Sequence, residues 1–323
     1  MPERIFFTRE WPGTAADRLR EGGLDVEVWP DFNAPSTSEI EARLDGGLFA
    51  LVTTVEDPIQ AGLFQNASHT PEIVAQAGVG YDNIDVEAAR KAGVWVTNTP
   101  GVLDEATADL AFALMCSLAR RIPEADAYVR DGKWTAWHPS LFLGKELAGA
   151  TVGIVGIGRI GMAFARRCTG FGMRILYTAR SENLEAAQIG AEYCELETLL
   201  AEADIVSLHI PLTDVTRGLI DDRRLGMMRS DAILVNTSRG PVVDTDALCR
   251  ALVAGRIAGA ALDVTDPEPL PGDHPLLKAP NLVVVPHIGS AGRQTRARMA
   301  NMAADNILAV RRGERPPNAL ANL

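Results

Sequence analysis

Cysteine is scarce in this 323-residue chain, and its four copies (Cys116, Cys168, Cys194 and Cys249) never form a C-x-x-C pair. That spacing argues against a disulfide frame or a zinc site and fits reduced thiols. A cytoplasmic protein without a metal is the expectation. Positive charge is in deficit: 31 Lys and Arg against 42 Asp and Glu leave a net charge of −11. A general nucleic-acid or anionic-membrane partner is therefore not expected. An anionic substrate would have to be held by local cations and backbone dipoles. Long apolar runs are missing as well. The stretch around Leu110 to Ala119 is too short to span a bilayer, and Met1 to Phe7 lacks the long apolar region of a signal peptide. No short-period repeat and no low-complexity segment stands out.

What is present is an ordinary globular composition, with 47% apolar and 23% charged residues, in a chain long enough for about two domains. Up to about residue 98, short apolar runs (Ile5–Phe7, Val26–Val28, Leu48–Val52, Val94–Val96) alternate with helical patterns at Glu39–Leu44, Ile59–Phe64 and Val86–Lys91. Later strands are predicted at Arg174–Tyr177, Ile205–His209, Ala232–Asn236, Gly259–Leu262 and Leu282–Val285. Helices are expected at Asp104–Arg121, where Leu110, Leu114 and Leu118 share a face, and at Asp246–Ala254 and Thr295–Arg311. Strands alternating with helices imply parallel, doubly wound sheets. The fold class expected is α/β, with two such domains: a flavodoxin-like substrate domain (1–99 and 291–323) and a Rossmann cofactor domain (100–290). The long helix from Asp104 is placed to bridge them, and the last helix to cross back onto the first. The tail Arg311–Pro317 is expected to be solvated.

The second domain carries the most informative stretch. Thr151-Val152-Gly153-Ile154-Val155 is β-branched and apolar, Gly156-Ile157-Gly158-Arg159-Ile160-Gly161 is G-x-G-x-x-G, and a helical pattern follows. Strand, glycine turn and helix in that order are the dinucleotide fingerprint. Gly156 permits the turn, Gly158 lets the backbone approach a pyrophosphate, and Gly161 lets the helix sit close on the strand. The pyrophosphate then lies against unpaired N–H groups of the helix terminus. About 20 residues on, where NAD enzymes carry an acid for the ribose hydroxyl, stand Ala179, Arg180 and Ser181. Arginine and a hydroxyl suit a 2′-phosphate, so NADPH is the expected cofactor, with NADH possible. The irregular segment Gly132–Pro139 carries Trp134 and Trp137, which points to an interface or a pocket lid as readily as to core packing.

Taken together, Ala77-Gly78-Val79-Gly80-Tyr81-Asp82-Asn83-Ile84-Asp85, Asn98-Thr99-Pro100-Gly101, the fingerprint, Asn236-Thr237-Ser238-Arg239-Gly240, Leu262-Asp263-Val264 with Pro267-Glu268-Pro269, and Pro286-His287-Ile288-Gly289 resemble the D-isomer-specific 2-hydroxyacid dehydrogenase family. The resemblance runs over nearly the whole chain and is strongest to its glyoxylate/hydroxypyruvate reductases. The tryptophan segment followed by Leu141-Phe142-Leu143-Gly144 adds to it.

The resemblance implies a reductase of small 2-oxo acids, glyoxylate to glycolate and hydroxypyruvate to D-glycerate. It places the catalytic roles on Arg239, Glu268 and His287. A planar guanidinium can grip a carboxylate and a carbonyl oxygen together. Imidazole is the ordinary acid/base near neutral pH, and a carboxylate beside it fixes the ring and favours the imidazolium. Asp266 is a nearby decoy for Glu268. For the substrate carboxylate the resemblance adds the backbone N–H groups of Val79 and Gly80, with Thr53 bordering the variable end. A tryptophan matching Trp137 reaches the neighbouring subunit in related reductases, which implies a homodimer. Around the cofactor it adds Thr107, Arg159, Ile160, His209, Pro211, Thr216, Thr237, Asp263 and Gly289. His69, His138 and His274 lie in loops and carry no assigned role. Two alternatives stay open: a dehydrogenase for 3-phosphoglycerate or a bulkier 2-oxo acid, and a nucleotide-sensing corepressor-like protein on the same fold.

Overall fold

The computed structural model describes residues 2–66 and 68–320, which divide into two units, 2–103 with 290–320 and 104–289. In the first, β1 (Arg4–Phe7), α1 (Ala15–Glu21), β2 (Asp25–Val28), α2 (Thr37–Asp45) and β3 (Leu48–Thr53) lead to α3 (Ala61–Asn66). Then come β4 (Ile73–Gln76), α4 (Val86–Lys91) and β5 (Trp95–Thr97). The second unit opens with α5 (Asp104–Ala119), α6 (Ile122–Arg130), β6 (Thr151–Val155), α7 (Arg159–Thr169), β7 (Arg174–Thr178) and α8 (Leu184–Gln188). It continues through β8 (Glu192–Tyr193), α9 (Leu196–Glu202), β9 (Ile205–Leu208), α10 (Asp222–Leu225) and β10 (Ile233–Asn236). It closes with α11 (Thr245–Val253), β11 (Gly259–Leu262) and β12 (Leu282–Val284), and α12 (Arg293–Arg311) returns to the first unit.

The first sheet runs β2-β1-β3-β4-β5, the flavodoxin-like order, and the second β12-β11-β10-β9-β6-β7-β8, the Rossmann order with a seventh strand. The strand pairings within both are parallel. The fold class expected from the sequence is the one found. Alternation sorts the strands onto two faces. Ile5 and Phe7 pack with Leu19, Ala300 and Ile307 on one side of the first sheet, while Phe6 packs with Ile40 and Leu44 on the other. In β6, Val152 and Ile154 face Met115 and Phe164, and Val155 faces Leu199 and Leu200.

Three local readings need correction. Strand β4 was not predicted, although Ile73, Val74 and Ala75 are fully buried between β3 and β5. Helix α5 falls within the second unit, its small residues Ala108 and Ala111 buried against α7. It also stops at Ala119, and Arg121 takes a left-handed turn (φ 52°) into α6. The tail is exposed at 311–315 and at Pro317 as expected, but Pro316 is buried and the residues beyond the tail dock. Ala319 bridges Thr97, and Leu320 N–H donates to Val96 O (2.9 Å), covering the open edge of β5.

The cysteines form no disulfide, and burial pushes the Cys168 thiol up to about 12. Among the described residues no helix is long and apolar enough to cross a membrane.

Candidate active site

In a parallel sheet every strand delivers its following loop to the same edge, where open α/β sheets bind ligands. In the second unit, the residues following β6, β7, β9, β10, β11 and β12 include most of the predicted site. Strand β10 ends at Asn236, whose Oδ1 accepts from Ser238 N (3.0 Å) and Ser238 Oγ (2.8 Å). Its Nδ2 donates to Arg239 O (2.9 Å), so one buried amide closes the turn and sets Arg239 in extended backbone. The next residue must be glycine, since a Cβ on Gly240 would enter the carbonyl of Thr265 and lie 2.8 Å from Asp266 N. That close approach seats the Arg239 loop directly on the loop that carries Glu268.

The His287 loop is built with equal economy. Asp263, 2% exposed at the end of β11, accepts from Ile288 N (2.6 Å) and Gly289 N (2.8 Å), one N–H on each oxygen. His287 N–H donates to Asp263 O (2.9 Å), and the residue sits at φ 49°. A left-handed histidine costs about 1 kcal/mol, and such residues gather at functional sites. Its Nδ1 lies 2.6 Å from Glu268 Oε1, while Glu268 Oε2 accepts from Thr265 N (3.0 Å). Burial alone would raise the Glu268 carboxyl. The hydrogen bond and charge of His287, the Thr265 N–H and the Arg239 charge outweigh it, and the net direction is down. Asp263 goes the other way, because burial outweighs its two N–H donors and the nearby His287 charge. Asp266, the decoy, is exposed.

The fingerprint fits a dinucleotide. Gly156 turns at φ 95°, and a Cβ there would meet His209 O at 2.7 Å, while a Cβ on Gly161 would collide with the Gly156 carbonyl oxygen. A Cβ on Gly158 would meet nothing within 4 Å, which leaves room for an approaching phosphate ahead of the uncapped N-terminus of α7. Two buried polar atoms, His209 Nδ1 and Thr237 Oγ1, have no hydrogen-bond partner among the described residues. Both belong to residues expected to meet the cofactor. His209 packs on the Phe164 ring, with Nε2 2.9 Å from Ser207 Oγ. Burial pushes its pKa down to about 3, so the ring is neutral.

The remaining residues are more scattered. Thr107 is buried on α5 beside Gly289, where an added Cβ would lie 3.3 Å from its methyl. Thr216 donates to Pro211 O (2.7 Å) and so closes the loop after β9. Arg159 is exposed and paired with Asp104 (3.2 Å), and Ile160 is half-buried behind it. Arg180 and Ser181 are exposed just past β7, as is Glu182. Trp137, 79% exposed, lies on the irregular segment after α6 with exposed Trp134 and Leu143.

In the first unit, Val79 and Gly80 follow β4 and are half-buried. Thr53 ends β3 fully buried, its hydroxyl donating to Gln76 Oε1 (2.6 Å). It supports the loop after β4 from beneath.

Asn236, Gly240 and the bracing role of Asp263 were not foreseen. The Asn-x-Ser spacing of Asn236 and Ser238 is a turn signature that could have exposed the first. The other two depend on contacts between separate loops.

Residues 112–289 match the D-isomer specific 2-hydroxyacid dehydrogenase, NAD binding domain. A glyoxylate reductase of Korarchaeum cryptofilum is 53% identical over 321 residues, 98% of this chain and 96% of that protein. One of Thermococcus litoralis is 50% identical over 323 residues, with 98% and 96% covered. A crystal structure of a Thermus thermophilus protein is 52% identical and superposes with a TM-score of 0.92, covering 98% of this chain and 100% of that one.

Proposed function

This chain belongs to the D-isomer specific 2-hydroxyacid dehydrogenase family, and we propose that within it the protein reduces glyoxylate and hydroxypyruvate with NADPH. The observation that carries the reading is the 2.6 Å His287–Glu268 pair on loops packed against the one bearing Arg239. When bound, the nicotinamide supplies the hydride for the carbonyl carbon. His287, held by Glu268 through Nδ1, presents Nε2 as the edge that gives a proton to the carbonyl oxygen. Arg239 takes the carboxylate and the carbonyl oxygen in its fork. The backbone N–H groups of Val79 and Gly80 take the carboxylate as well.

The test is the initial rate of cofactor oxidation with glyoxylate and with hydroxypyruvate, using NADPH and then NADH. Turnover of both acids, faster with NADPH, is expected. No turnover of either acid would sink the substrate assignment.

NADPH is favoured by Arg180 and Ser181 at the end of β7. Charge-assisted bonds to a phosphate are worth enough that Arg180→Ala should raise the KM for NADPH about tenfold or more. The KM for NADH should barely move. Equal effects on the two cofactors would remove Arg180 from 2′-phosphate recognition.

The exposed Trp134, Trp137 and Leu143 suit an interface with a second copy of the chain, Trp137 reaching the partner's substrate pocket. A single-subunit mass by light scattering would refute the homodimer.

A further inference from the structure

The loop 77–83 of the first unit is tied down through its carbonyls. Gly78 O accepts from Thr99 N (2.9 Å), Val79 O from Asn98 Nδ2 (2.8 Å), and Gly80 O from Gln76 Nε2 (3.1 Å). Gln76 is fully buried at the end of β4, fixed by Thr53 Oγ1 on Oε1 and by a second Nε2 bond to Asn83 Oδ1 (3.0 Å). Asn83 is fixed in turn, donating from Nδ2 to Thr54 O (2.9 Å) and Asp57 O (2.8 Å).

In a planar trans peptide the C=O of one residue and the N–H of the next point in opposite directions. Holding the three carbonyls therefore turns the N–H groups of Val79, Gly80 and Tyr81 away from the donors that bind them. None of these three N–H groups has an acceptor among the described residues. Consecutive N–H groups without internal acceptors are the makings of an anion cradle.

We propose that Gln76 and Asn98 are positioning residues for the substrate carboxylate, aiming the N–H groups of Tyr81 and Gly80 at it beside that of Val79. This deepens the function proposed above and rests on it for the identity of the acid. Neither side chain touches the substrate. Each rotates a peptide plane.

The experiment uses the full-length enzyme with Gln76→Met and Asn98→Ala. A carboxylate held equally in the ground and transition states contributes to KM and leaves kcat alone. Each variant should raise the KM for glyoxylate about tenfold, the scale of one hydrogen bond to a charged group, with kcat changed less than about threefold and NADPH affinity unaltered. A merely structural role would instead lower melting temperature and NADPH affinity with KM for the acid unmoved, and that result overturns the proposal. Gln76→Met strands a buried Thr53 hydroxyl and can fail to fold. Asn98→Ala then decides, since Asn98 is half-buried with one side-chain hydrogen bond among the described residues.

Calorimetric titration with oxalate separates this proposal from the substrate reading. If the wild type turns over neither acid but binds oxalate, and both folded variants bind it about tenfold more weakly, the substrate reading fails and the cradle stands. Equal oxalate affinity in all proteins, or none in the wild type, overturns the cradle.

Discussion

Replacing His287 by alanine is expected to lower kcat for glyoxylate reduction by about a hundred- to ten-thousandfold, the usual worth of a positioned general acid. The KM should change little, because the proton is transferred in the transition state and its donor contributes little to ground-state binding. NADPH affinity, followed by fluorescence titration, should be unchanged. Stopped-flow rates on a single turnover check that the loss lies in chemistry and not in product release. Wild-type turnover in this variant would remove His287 from the reaction. Glu268→Gln should give a smaller fall, since the ring keeps a hydrogen-bonding neighbour of the same shape but loses the charge beside it.

The same pair has a pH signature. The Glu268 carboxyl is held below its ordinary value in the folded protein, so the native state favours its ionised form. That stabilisation is complete above the ordinary glutamate value of roughly 4.3 and is lost as pH falls through the lower native value. The melting-temperature gap between wild type and Glu268→Gln should narrow as pH falls below about 4. A gap that goes on widening below that pH would contradict the assigned direction.

Arg239→Ala is expected to reduce kcat/KM by about a thousandfold, and here both parameters should move. The fork holds a carboxylate that is charged throughout, which enters KM. It also meets a carbonyl oxygen that gains charge only as the hydride arrives, which enters kcat. Arg239→Lys should recover only part of the loss, because an ammonium offers a point charge where the site is shaped for two parallel donors. Steady-state kinetics on both variants settle the matter, and a kcat/KM within about threefold of wild type would place the arginine outside the substrate's reach. The Glu268 carboxyl should also titrate higher in Arg239→Ala, as one of the charges holding it down is gone.

The strand-turn-helix fingerprint could be read directly from the sequence, because each of its requirements is met within about a dozen residues. The turn at Gly156 and the packing of Gly161 on the Gly156 carbonyl are short-range events, and the structure has both. The alternating strands were legible for the same reason, as were the last helix and the order of the motifs that place the chain in its family. Strand β4 was not, since Ile73–Gln76 becomes a strand only through β3 and β5.

Tertiary structure alone decided how the candidate residues of each unit are held. Asp263 braces Ile288 and Gly289 from 25 and 26 positions away, Asn98 turns the peptide after Val79 from 19 away, and Thr53 fixes Gln76 from 23 away. Glycine at 240 is required by a carbonyl of another loop. A residue type states which bonds it can make, but a donor and acceptor this far apart meet only after parallel strands have brought their loops to one edge. Until then each of these polar groups would be satisfied equally well by water.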